Sequence, residues 1–386
     1  MSQKKKQHYV PQFYLRNFSD NKKTFSVFHV ANRTILPNVP CSSQCCETFF
    51  YGSDLEWENK LGIYESSWGA IIHKIINGQV CTEQEFEQLK IFALYQKQRT
   101  FAETKYRRQE WSDIIKEHMR MRLIQEGATF TPEAEKECEK LVDEKFFFPG
   151  ECLRLAQEIE HVVSDLKTLI IEYNTKLNLI SSDAPIIIIN PFYPVAVGYG
   201  TIGTIIFYPI SPNKLVVHYD SKMYPKYKNT TSIQCTDENE VKKLNTYQLL
   251  SADRVLFSNS QEEVFSYSEE EWNIRKNNRE RAPLSMLGDE THRLIQFSTR
   301  RTIHDCNFSF GQVSHKFKRI PFVCKDCIPR VWSTEWERKL NLAESIMPKL
   351  IKDGKNDLGQ SISKKELRRG YRRMASAAKV YWTMPN

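Results

Sequence analysis

No stretch of 18 apolar residues occurs anywhere in the sequence, and the most apolar runs are as short as Ile186–Ile189, so a transmembrane helix is not expected. Nor does an apolar segment follow the basic start Met1–Gln7, so no secretory leader is expected and the protein is assigned to the cytoplasm. Tandem repeats and low-complexity tracts are absent. So are a Walker loop, a Gly-x-Gly-x-x-Gly turn, a Gly-x-Ser-x-Gly elbow and a His-Glu-x-x-His pair, which removes support for nucleotide-driven work and for the commonest hydrolase classes.

What is present describes an ordinary folded chain. Its 386 residues can bury a substantial core, and a content of 40% hydrophobic and 26% charged residues argues against wholesale disorder. The net charge of +8 is concentrated at the ends: residues 361–386 alone carry +6, and Lys4, Lys5 and Lys6 form a second cluster. The body between them is nearly neutral and lacks the signature of a protein that coats nucleic acid. In a reducing compartment the ten cysteines are not expected to form disulfides, and Cys81, Cys138, Cys152 and Cys235 read as small buried hydrophobes.

Periodicity assigns an α+β fold: a large helical block packed on a small mixed or antiparallel sheet, an irregular segment, and a basic helical C-terminal tail. Pro11 suits the start of a short helix on which Gln12 and Arg16 share a face and Tyr14, Leu15 and Phe18 form the apolar stripe. Residues 24–30 and 33–39 read as a hairpin around Ala31-Asn32. Helical spacing then runs from Asp54 to a stop at Asn77-Gly78. A second helix starts behind the Thr82/Glu85 capping box and extends toward Gln125 with a bend or gap, a third runs from Pro132 to Phe146, and a fourth follows Gly150 to Tyr173. Strands are expected at residues 177–181, 185–190, 204–208, 214–219 and 255–257, with helices at 236–251 and 262–279. The organisation that results is a main domain over 1–280, helical over 53–173 and strand-rich with a helix over 176–258. An irregular Cys/His-containing segment (281–330) and a helical basic tail (331–386) follow.

Each candidate for chemistry has a plain alternative. His8 titrates near neutral pH and can act as general base, metal ligand or phosphate contact, or equally as a structural histidine at a helix entrance. Gln96 and Arg99 lie on one helix face, where Arg99 can bind a carboxylate or phosphate bidentately or belong to a solvated basic helix. Ser182 and Asp183 occupy a turn between strands, a frequent catalytic position and also common turn composition. Cys324-x-x-Cys327 has the spacing of half a zinc knuckle, which Cys306 and His315 can complete into a structural zinc site. In the tail, Arg368, Arg369, Arg372 and Arg373 interleave with aromatics as a nucleic-acid-binding helix would, or as a solvated one.

The segment His8-Tyr-Val-Pro-Gln-Phe-Tyr-Leu-Arg-Asn-Phe18 closely resembles the N-terminal signature of the bacterial family catalogued as domain of unknown function 4238. Cys46-Glu-Thr-Phe-Phe-Tyr51 with the helix after it, Gln96-x-x-Arg99-Thr100, Ser182-Asp183-Ala184-Pro185, Pro209-Ile-Ser-Pro212 and the Asn245 helix resemble its later blocks. Phe101 replaces a proline and Ala184 an asparagine, and the similarity covers about residues 7–265. The resemblance implies that His8, Gln12, Gln96, Arg99, Ser182, Asp183 and Asn245 converge on one pocket. Two functions are open. In the first, a metal-assisted phosphodiester hydrolase acts on nucleic acid or nucleotide. His8 is its base, Asp183 holds a divalent metal or orients His8, and the other five polar residues bind substrate. In the second, the protein is a non-catalytic sensor or partner-binding module, with the same residues receiving an anionic ligand or forming a structural polar network.

Overall fold

A computed structural model describes residues 6–191, 198–259, 265–279, 285–288, 293–296, 308–311 and 330 of the protein. The chain enters through strand β1 (Lys6–His8), and Pro11, in extended conformation, starts helix α1 (Gln12–Leu15), which tightens into a 3-10 turn over Arg16–Phe18. Tyr14, Leu15 and Phe18 are wholly buried, as their spacing predicts. Strands β2 (Thr24–His29) and β3 (Thr34–Pro40) form the expected hairpin. Pro37 and Pro40 fall in β3, the edge strand, where a missing N–H is tolerated. Strand β4 (Cys46–Thr48) then pairs antiparallel with β1, opposing Cys46 to His8.

The helical block consists of α2 (Glu56–Ile76), α3 (Glu83–Gln98), α4 (Phe101–Gln125), α5 (Pro132–Lys145) and α6 (Phe148–Glu158). Helix α2 stops at Asn77, followed by Gly78 at φ +73°, a left-handed position that favours glycine. The Thr82/Glu85 capping box is present in both directions, at 3.2 and 2.7 Å. Of the bend or gap expected in this stretch, the structure has a gap. Helix α3 ends at Gln98, Thr100 turns extended, and its hydroxyl caps α4 by accepting from the Glu103 N–H at 3.2 Å.

Residues 167–173, expected as the end of the fourth helix, form strand β5 (Lys167–Tyr173) instead. Leu169, Ile170 and Ile171 are buried in succession because β5 has neighbours on both edges and cover on both faces. A run of that kind shows no alternation and cannot be told from buried helix by period. Strand β6 (Ser181–Ser182) is shorter than the expected strand over 177–181 and joins a different sheet from its neighbours β7 (Ile187–Ile189), β8 (Ile205–Ser211) and β9 (Lys214–Tyr219). Strand β10 (Ser232–Cys235) runs parallel to β5, giving a mixed five-stranded sheet in the order β10-β5-β9-β8-β7. Helix α7 (Glu238–Ser251) leads to strand β11 (Val255–Ser258), which completes the four-stranded sheet β3-β2-β11-β6. Helix α8 (Glu269–Arg279) follows. A hairpin of β12 (Ser285–Gly288) and β13 (Arg293–Gln296) lies within the segment read as irregular. The fold is α+β.

Strand β8 divides the interior. Ile206, Tyr208 and Ile210 face the core built on α2 and α3 with Trp68, Phe92 and Tyr95, while Ile205 and Phe207 face a second core with Leu244 and Tyr247 of α7. An imidazole also lies fully inside. His218 of β9 is bonded at Nδ1 to the Thr168 hydroxyl (2.9 Å) and at Nε2 to the Tyr208 hydroxyl (3.2 Å). Burial, with the Lys90 charge nearby, pushes its pKa down to about 3, so the imidazole is neutral in the folded protein.

Candidate functional site

The pairing of β1 with β4 sets the position of His8. Gln7, wholly buried, locks that strand to the following turn by accepting from the Tyr51 N–H and donating to the Gly52 carbonyl at 3.0 Å. Helix α3 then grips the exit of β1 with two side chains one turn apart. Gln96 Nε2 donates to the Tyr9 carbonyl at 3.0 Å, and Arg99 Nη2 donates to the His8 carbonyl at 2.6 Å. Arg99 is 1% exposed. Its Nε donates to the Tyr51 hydroxyl at 3.0 Å, and Nη2 pairs with Glu65 of α2 at 2.7 Å. Desolvation pulls the pKa of the guanidinium down, but Tyr51 and Glu65 outweigh it and hold the group charged. Two atoms of the clamp, Gln96 Oε1 and Arg99 Nη1, are buried without a hydrogen-bond partner among the described residues.

The His8 ring is half-buried. Nε2 lies 3.2 Å from the Ser42 carbonyl and 3.4 Å from the Gln12 amide nitrogen, and Gln12 Oε1 accepts from Arg16 at 2.7 Å. A carbonyl can only accept and an amide nitrogen only donate, so Nε2 serves one of the two; in the tautomer that makes the shorter bond, to Ser42, Nε2 carries the proton and the lone pair is on Nδ1. Burial lowers the pKa of His8, opposed by the Ser42 bond and the Glu65 charge. The carboxylate acting on this ring is therefore Glu65, whereas the sequence reading gave that place to Asp183.

Ser182, Asp183 and Asn245 belong to a second hydrogen-bonded group, where α7 lies over residues 178–185. Asn245 accepts from the Ile180 N–H at 3.0 Å and donates to the Asn178 carbonyl at 2.9 Å. The Ser182 hydroxyl donates to Gln248 at 2.7 Å and accepts from the Ala184 N–H, and Gln248 continues to the Pro185 carbonyl at 2.9 Å. Asp183, 1% exposed, receives the Asp253 N–H on Oδ1 (2.8 Å) and the Arg254 N–H on Oδ2 (2.7 Å), which fixes the turn leading into β11.

The seven polar residues expected in one pocket are thus distributed over two groups, with His8, Gln12, Gln96 and Arg99 in one and Ser182, Asp183 and Asn245 in the other. Tyr9 lies between them. Gln96 holds its carbonyl, while burial, Cys45 and Asp183 push its phenol pKa up. Sequence reasoning did not single out Gln7, Glu65 or Gln248. Gln248 was accessible from its position three residues beyond Asn245 on the same helix face, but Glu65 is one of several carboxylates on α2 and has no distinguishing spacing.

The donor set for the expected divalent metal is sparse among the described residues. Asp183 spends both oxygens on backbone amides, and among the described residues no group of three or more His, Cys, Asp or Glu side chains is placed to hold an ion. Cys306, His315, Cys324 and Cys327, the zinc candidates, and Arg368, Arg369, Arg372 and Arg373, the nucleic-acid candidates, lie outside the described residues. Cys41, Cys45 and Cys46 are free thiols, each with its pKa raised by burial. Among the described residues no helix is long and apolar enough to cross a membrane.

Fold and site together define an α+β protein in which one helix clamps the entering strand by its carbonyls and another pins the start of the small sheet. The chain belongs to the family of proteins of unknown function DUF4238, whose model matches residues 6–262 and so spans both polar groups. No curated protein and no solved structure was found to match it.

Proposed function

We propose that the protein is a non-catalytic sensor or partner-binding module whose scaffold is held by most of its signature polar residues and whose His8 corner receives an anionic group. The observation that carries this reading is that Asp183 gives both carboxylate oxygens to backbone amides, so the acidic half of a His8/Asp183 catalytic pair is already engaged. Gln96, Arg99, Ser182 and Asn245 are likewise turned to holding the chain, and all are buried. His8 and Gln12 keep part of their surface in solvent. Around them the charges of Lys6, Arg16 and Arg99 exceed that of Glu65, which favours a negative ligand. Titrating inorganic phosphate against wild type and His8→Ala, followed by the His8 ring resonances and by calorimetry, tests the reading. Saturable binding lost in the variant supports it, and no binding by wild type contradicts it.

A second reading, the metal-assisted phosphodiester hydrolase, draws support from a half-buried histidine whose pKa is lowered by burial and whose Nδ1 carries the lone pair in the tautomer bonded to Ser42. Metal-dependent cleavage of DNA and RNA by wild type but not by His8→Ala or Asp183→Ala would establish it over the binding module. We further propose that Cys306, His315, Cys324 and Cys327 hold a structural zinc and that Arg368, Arg369, Arg372 and Arg373 hold nucleic acid. Metal analysis of the purified full chain beside Cys324→Ser decides the first, and the salt dependence of single-stranded nucleic-acid binding decides the second. A cytoplasmic setting is consistent with the seven free cysteines among the described residues.

A further inference from the structure

Beyond the span matched by the family model, residues 265–279 pack on the hairpin and α7, and after them the described residues return to the same domain at two further places. At the first, the Ser309 N–H and hydroxyl donate to the two oxygens of Glu240 on α7 at 2.7 and 3.0 Å, and Phe308 and Phe310 stack on each other beside Phe207. At the second stands Arg330, whose side chain is 0% exposed.

Each guanidinium nitrogen of Arg330 meets acceptors. Nη1 donates to the carbonyls of Tyr199 and Thr201, Nη2 to the Val162 carbonyl and to Asp165 Oδ1, and Nε to Asp165 Oδ2 at 3.0 Å. The Arg330 main-chain N–H donates to the Gly200 carbonyl at 2.7 Å. The acceptors come from two stretches of the domain, the turn at residues 162–165 and the loop at residues 199–201. Their arrangement follows the planar fork of five N–H donors that only arginine carries, and a lysine ammonium in the same place reaches fewer of them. One carboxylate balances the one positive charge. Emptied, the cavity would leave several main-chain carbonyls without donors, which is costly in a buried place.

We propose that the turn at 162–165 and the loop at 199–201 form a guanidinium-binding socket, and that the chain's own Arg330 fills it in cis as a resident ligand, docking the region beyond the family match. The Gly200 contact specifies an arginine within a peptide, since it takes the main-chain N–H of the same residue. The socket also borders the clamp described above. The Tyr199 hydroxyl accepts from Gln98 Nε2 at 3.1 Å, one residue before Arg99 at the α3–α4 break. Occupancy of the socket therefore bears on the placement of the helix end that holds His8.

The test uses the full chain with Arg330→Ala, to which methylguanidinium is added at millimolar concentration as a stand-in for the missing side-chain head. The variant is expected to melt several degrees below wild type. Methylguanidinium should raise its midpoint saturably, while wild type and the Arg330→Ala/Asp165→Asn double variant show no rise. An unchanged midpoint in Arg330→Ala, or the same response to methylguanidinium in all three proteins, overturns the proposal. Should Arg330→Ala fail to fold, Asp165→Asn alone decides the matter by amide exchange. Faster exchange confined to residues 199–201 supports the socket, and exchange equal to wild type overturns it.

Discussion

Arg99 holds the main-chain carbonyl of His8 at 2.6 Å across 91 residues of sequence, so the helix that ends at residue 98 determines where the N-terminal histidine stands. The same guanidinium serves the Tyr51 hydroxyl and Glu65, three partners on three segments.

Arg99→Leu is accordingly expected to destabilise the protein by about 3–5 kcal/mol, because it strands a buried carbonyl, a buried hydroxyl and a carboxylate at once. Arg99→Lys, with one compact ammonium for three partners, should recover only part of this. Urea unfolding monitored by tryptophan fluorescence gives both values, and a loss below about 1 kcal/mol in the leucine variant would show that the clamp is not what fixes this corner.

Asp183→Asn tests the second polar group. The amide has nearly the same shape, but one of its two ends is a donor and must face a backbone N–H that is also a donor. The expected cost is about 2–3 kcal/mol, with faster amide exchange at Asp253 and Arg254. A variant as stable as wild type would mean that Asp183 is retained for something other than the turn before β11.

His218 makes stability depend on pH. Its folded-state pKa of about 3 lies below the value near 6.5 that an exposed histidine has in the unfolded chain, so between these limits the unfolded state binds a proton that the folded state does not. The stabilising contribution is fully present above about pH 6.5 and declines by about 1.4 kcal/mol per pH unit on acidification towards the folded value. His218→Gln should show a shallower slope between about pH 6 and 4 in a denaturation series, although carboxylates contribute to both proteins. Parallel slopes would contradict the assignment of a neutral, buried ring.

Thr82→Ala removes the hydroxyl half of the capping box at the start of α3 and is expected to cost about 1 kcal/mol, measured by chemical denaturation. Thr82→Ser, which keeps the oxygen, should cost much less.

Much of this architecture was legible from local chemistry. Thr82 and Glu85 announce a helix start, Asn77-Gly78 a stop, and Tyr14, Leu15 and Phe18 a buried stripe, because each signal arises from bonds or contacts made within a few residues. Strand β5 was missed where long-range cover on both faces erased alternation, and β1, β4 and β10 are too short to carry a period. At the site, helix-face spacing and the family resemblance both located Gln96 and Arg99, but not that their target is the main chain of His8 and Tyr9. A side chain that bonds to backbone leaves no complementary residue type to look for, and the acceptors of Arg330 are concealed in the same way.

The four-stranded sheet also sets a schedule for synthesis. Strand β2 pairs with β11 through contacts such as Val27 with Phe257, so the apolar face of the first hairpin must wait for roughly 230 further residues before its partner exists. At translation rates of about 5–20 residues per second, that interval is on the order of 10–50 s. Throughout it, Phe25 and Val27 on the nascent chain lack their final cover, so the strand edge of this hairpin stays open to wrong pairing until the ribosome has passed residue 258.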